Sequence, residues 1–142
     1  MRRRIKGYRL IAHTADVGIE ARGAGLPELF ANAARCLFHV ITDLGHIRLR
    51  EIRDVEVSAP DREALLVAWL NEFLYLFDAE NLVFRRFEVT ELSETRIVAR
   101  VHGERVDPER HPMKTGVKSA TYHELKVWQD QRGYVARVIL DI

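Results

Sequence analysis

A single cysteine in 142 residues, Cys36, excludes a disulfide framework and every thiolate metal cluster. It falls inside a helical apolar pattern, so it reads as a small buried hydrophobe in a reducing compartment. No apolar run approaches a membrane span, and Arg9 interrupts the stretch after Met1-Arg2-Arg3-Arg4 before a secretory signal could form, so the expected location is the cytoplasm. These arginines read as a solvated end or as a weak contact for a polyanion. Charge of one sign is also missing. Twenty-two Lys and Arg against 21 Asp and Glu leave a formal charge of +1, which argues against wrapping nucleic acid by phosphate neutralisation. RNA, if relevant, is expected to arrive through a partner.

Motifs of catalysis are absent as well. There is no Gly-x-Ser-x-Gly elbow, Walker loop or dinucleotide glycine fingerprint. The six histidines lack zinc-finger or His-Glu-x-x-His spacing. His13 and His123 are candidates to converge, and His111, before Pro112, is expected to titrate in solvent. With no linker, charge block or low-complexity segment, the chain reads as one domain over 1–142.

What is present is regular alternation and helical periodicity. Strands are expected at Tyr8 to Ala12 and Val17 to Arg22, then a helix from Leu26 to Ile41 with Pro27 early and a cationic His39 near its end. A half-wet strand follows within Arg48 to Ala59. Ser58-Ala59-Pro60-Asp61 then opens a second helix, Ala64 to Phe77, whose apolar stripe is wide enough to need cover on more than one side. Asn71 and Glu72 occupy its narrow polar face. Strands at Phe84 to Glu91, Arg96 to Val101, Ala120 to Val127 and Tyr134 to Leu140 complete an α+β fold, two main helices on a mainly antiparallel or mixed sheet.

Two carboxylates fall at strand ends, Asp16 and Asp141. If the first and last strands are neighbours the two meet, and a divalent cation would remove their repulsion, with a main-chain oxygen of Ile142 alongside. The alternative is that Asp16 caps its own turn in His13-Thr14-Ala15-Asp16-Val17-Gly18. Lys114, Lys118 and Lys126 form a basic group around Gly116, either a solvated face or, at Lys118, a seat for a phosphate or an acidic partner surface.

Four stretches, in order, resemble the archease family: His13 to Gly18; Trp69-Leu70-Asn71-Glu72 with Tyr75-Leu76-Phe77; Val117-Lys118-Ser119-Ala120-Thr121-Tyr122-His123; and Arg137 to Ile142. The departures are small, Ser119 where a small apolar residue is expected and an insertion-prone loop from Asp107 to Gly116. The resemblance implies a protein cofactor, not an enzyme. Its partner would be the RtcB-type RNA ligase of tRNA splicing, which uses GTP and divalent metal to guanylylate its own histidine. The cofactor promotes that guanylylation and multiple turnover and can broaden nucleotide use. It also implies a divalent metal ion, assigned as calcium, on Asp16, Asp141 and Ile142, and a partner-contacting role for Lys118. Magnesium and manganese suit the same oxygens. A stand-alone metal-dependent phosphohydrolase and a chaperone-like modulator of RNA- and DNA-processing proteins are the other readings. The oligomeric state is not specified.

Overall fold

The computed structural model describes residues 7–12 and 16–142. In chain order the elements are β1 (Tyr8–Ala12), β2 (Asp16–Gly23), α1 (Leu26–Ile41), a short 3-10 turn (Leu44–His46), β3 (Glu51–Ser58), α2 (Arg62–Glu80), β4 (Leu82–Leu92), β5 (Arg96–Arg105), β6 (Ser119–Ala120), β7 (Lys126–Asp130) and β8 (Gly133–Asp141). The α+β class is as expected, and every strand pairing is antiparallel. The strands divide into two sheets. One runs β1-β2-β8-β6 with β7 also on β8, and the other runs β3-β5-β4.

The helices join the sheets through one core. Helix α1 begins with Pro27 in its first turn, where a missing N–H costs nothing, and its Leu29, Phe30, Leu37 and Phe38 are fully buried. It packs on β2 of one sheet and β4 of the other. Helix α2 starts at Asp61, whose carboxylate accepts the Ala64 N–H at 2.8 Å, and stops at left-handed Asn81 (φ 58°). Its Trp69 and Phe73 meet edge to face at 4.6 Å, and Phe38, Phe84 and Phe87 complete an aromatic cluster. Trp69 Nε1 donates to the Phe30 carbonyl at 2.9 Å, pinning α2 to α1. Neither helix is long and apolar enough to cross a membrane. Cys36 is buried in α1, and burial pushes its thiol well above the usual range.

Three expectations change. The strand Ala120 to Val127 is broken. Extending the Ser119↔Asp141 register would set His123 opposite Arg137, where Lys126 stands, so three residues loop out. The Thr121 N–H and hydroxyl both donate to the Ile139 carbonyl, Leu125 N–H closes a turn on Tyr122, and Glu124 is left-handed (φ 53°). The looped-out Tyr122, His123 and Glu124 are exposed.

His111 is not a solvated loop residue: it is 1% exposed. The Asp107 N–H donates to its Nδ1 at 2.7 Å, so the ring proton sits on Nε2, 2.9 Å from Glu104 Oε2. Buried Glu104 also receives a fork from Arg110 at 2.7 and 3.0 Å and the Arg48 N–H at 2.7 Å. Burial raises the Glu104 pKa, but the bonds from Arg110, the Arg48 backbone and His111 outweigh it and hold the carboxyl at about 2. At the end of α1, His39 is not favoured as a cation. Burial first, then the charge of Lys114, lowers its pKa, and its ring lies 5.5 Å from Tyr8.

Candidate metal and partner site

Asp16 opens β2, Asp141 closes β8, and the two stand directly opposite in the β2–β8 register. The Asp141 carbonyl accepts the Lys118 N–H at 2.7 Å and the Ile139 carbonyl accepts the Thr121 N–H at 3.0 Å, both on the β6 side. Alternate residues of β8 thus turn their backbone groups away from β2 at this end. Asp16 and Asp141 are therefore a non-hydrogen-bonded pair, the closer kind, with Cα atoms about 4.5 Å apart and side chains on one face. Like charges so placed repel, and a shared cation would lower that repulsion.

Helix α2 fixes the third strand of the site. Asn71 Oδ1 accepts the Ala120 N–H at 2.8 Å and its Nδ2 donates to the Ala120 carbonyl at 3.3 Å. The side chain behaves as one more residue of sheet, holding β6 against Asp141. Sequence reasoning placed Asn71 on a merely polar face. The available signal was an amide next to Leu70 on a helix whose apolar stripe needs cover on more than one side, where a polar side chain that is covered needs a partner.

The other sequence candidates disperse. Lys118 is exposed and touches the pair through its backbone. Lys126 lies over the Trp128 ring at 5.2 Å, and the Lys114 N–H bonds the Ile41 carbonyl at the end of α1, so the three lysines are not one cluster. His123 is exposed and, among the described residues, its ring pairs with Glu124 at 3.2 Å; His13 lies outside the described residues, as do Thr14 and Ala15. Glu72 is half-buried, its carboxyl pushed up by burial and by the charge of Glu80.

Two facing carboxylates with no thiol nearby suit a hard divalent cation. The described residues gather no group of three or more His, Cys, Asp or Glu able to hold a metal. A cation on this pair would therefore draw further oxygens from main chain or water. The Asp141 carbonyl accepts the Lys118 N–H, and the main-chain oxygens of the next residue, Ile142, 39% exposed, are candidates for a further donor.

The class so defined is an α+β protein of two antiparallel sheets with an acidic pair where its first and last long strands meet. The chain belongs to the Archease protein family, whose model matches residues 8–142. It is 41% identical to the protein archease of Methanosarcina acetivorans over 96% of this chain and 97% of that one. To that of Pyrococcus abyssi it is 40% identical, over 97% and 100%. The solution structure of Methanobacterium thermoautotrophicum protein 1598 superposes with a TM-score of 0.81 at 34% identity, over 97% of this chain and 100% of that one.

Proposed function

We propose that this chain is a protein cofactor of an RtcB-type tRNA-splicing RNA ligase, promoting guanylylation of the ligase and its multiple turnover. It would work through a divalent cation held at Asp16, Asp141 and Ile142. The observation that carries the reading is the direct Asp16↔Asp141 register pair, together with membership of the archease family. A cation bound there would supply positive charge against nucleotide phosphates. The chain's own residues do the rest. Asp16 and Asp141 form one acidic pair, Asn71 and the Lys118 backbone hold β6 and β8 in register around it, and exposed Lys118 stands beside it, with Tyr122 and His123 exposed in the loop that follows β6. Calcium, magnesium and manganese all fit the donor set, and nucleotide choice by the ligase would broaden as a consequence of stimulation. The chain would act in the cytoplasm, meeting RNA through the ligase.

The test is ligase guanylylation and ligation turnover with and without the protein, with folded Asp16→Ala, and with no ligase present. Loss of stimulation in the variant supports the reading; full stimulation by it sinks the metal site. Nucleotide or phosphoester turnover without ligase would instead make the chain a phosphohydrolase. Stimulation that survives loss of both aspartates but not alteration of exposed apolar residues would make it a chaperone-like binder.

A further inference from the structure

The net charge of +1 conceals a separation of charge along one strand pair. Asp16 and Asp141 mark one end of β2 and β8; at the other end, roughly 20 Å of extended chain away, Gly23 and Tyr134 line a cleft of about 580 Å³. That is a size typical of small-molecule sites, roughly 300–1,000 Å³. Among the described residues its charged lining is three arginines, Arg22, Arg35 and Arg132, against one carboxylate, Glu28.

The arginines are held in different ways. Arg22 Nη1 donates to Asp130 Oδ2 at 2.9 Å. Arg35 Nη1 donates instead to a neutral oxygen, Asn32 Oδ1, at 2.6 Å. Asn32 is 7% exposed, and its Nδ2 donates to the Arg22 carbonyl at 2.7 Å, so a buried amide aims a guanidinium without neutralising it. A Cβ on Gly7 (φ 84°) would lie 2.3 Å from that Nδ2, so the lining backbone is packed against the amide. Arg132 is exposed, and among the described residues its guanidinium has no hydrogen bond or ion pair. Glu28 accepts the Ala24 N–H at 2.6 Å, just ahead of the Gly25 cap of α1, so the one carboxylate of the cleft is engaged by backbone while the guanidinium groups are its charged donors. Arg2, Arg3, Arg4 and Lys6 precede the lining residue Gly7 in sequence.

Two guanidinium forks that no carboxylate clasps among the described residues, Asp130 acting on Arg132 through its charge while it clasps the third at Arg22, match a multiply charged tetrahedral oxyanion better than any neutral ligand. We propose that this cleft binds a phosphate group, that of a free nucleotide or of an RNA strand, at Arg35 and Arg132. The site is separate from the acidic pair and does not rest on the ligase reading.

The experiment is titration of the isotopically labelled full chain, in chelator, followed by amide resonances. The probes are inorganic phosphate, a nucleoside monophosphate and a short oligoribonucleotide. Saturable shifts at Gly23, Asn32 and Arg132 are expected. Arg35→Gln and Arg132→Gln should each weaken binding about tenfold or more, Arg132→Lys should retain most of it, and Glu28→Gln should tighten it. Tighter binding of the oligonucleotide than of the mononucleotide, weakening steeply with salt, assigns the phosphate to RNA; equal or tighter mononucleotide binding assigns it to a free nucleotide. No saturable shift with any probe, or unchanged affinity in folded Arg132→Gln, overturns the proposal.

Discussion

Asn71 grips Ala120 through both main-chain polar groups, its Oδ1 on the N–H at 2.8 Å and its Nδ2 on the carbonyl at 3.3 Å. Helix α2 thereby acts as the outer neighbour of the two-residue β6, which is too short to hold its place on β8 alone. Asn71→Ala strips both partners from a residue that is 5% exposed, and the expected cost is about 1–3 kcal/mol in a urea titration. Asn71→Asp retains the acceptor for the N–H but not the donor, so it should fall between the two. If both variants match wild type in stability, α2 does not anchor β6.

Asp16 and Asp141 should destabilise the metal-free protein by facing each other. In chelator, Asp141→Asn is expected to raise stability by a few tenths to about 1 kcal/mol, the scale of a cross-strand charge pair. Added calcium should then raise the melting temperature of wild type but leave that of Asp141→Asn nearly unmoved. A calcium response of equal size in both proteins would place the ion elsewhere.

The Trp69 indole N–H reaches the Phe30 carbonyl at 2.9 Å and ties α2 to α1 inside the aromatic cluster. Trp69→Phe keeps an aromatic ring but removes that donor and some volume. A loss of about 1–3 kcal/mol is expected, with α1 and α2 still unfolding as one unit when followed by hydrogen exchange.

How legible the chain was depends on the range of the interactions concerned. The periodicity of Leu26 to Ile41 and the cap at Asp61 are local, and both helices fall where those signals put them. The Asp16–Asp141 pairing joins the two ends of the sequence and was readable as a conditional on strand adjacency, although the strand beside β8 is the second, β2, and the first, β1, lies outside it. The division into two sheets was not readable. Alternation in Glu51–Ser58 marks a strand with one wet face but carries no address for its neighbour. Asn71 and His111 failed for the same reason: their partners, Ala120 and Glu104, are fixed by tertiary packing, and an amide or imidazole alone does not reveal whether water or protein satisfies it. The arginine cleft escaped notice because Arg22, Arg35 and Arg132 come from three elements and are diluted by a balanced total charge.

Glu104 should give the protein a distinct acid limb. Its folded pKa, about 2, is depressed from an ordinary 4.5 because Arg110, the Arg48 N–H and His111 bond its charged form more strongly than burial disfavours it. A depressed carboxylate contributes stability that is fully present above the unfolded pKa and is lost as pH falls towards the folded one. The window is therefore from about pH 4.5 down to about 2, and the full contribution at neutral pH is about 3 kcal/mol. Glu104→Gln keeps an acceptor oxygen but loses the charge that Arg110 clasps. It should be less stable than wild type by about that amount at pH 7, with the gap closing through the same acid window. Stability measured by denaturant titration across pH checks this; a gap that stays constant down to pH 2 would show that packing, not the charge of Glu104, is what the network protects.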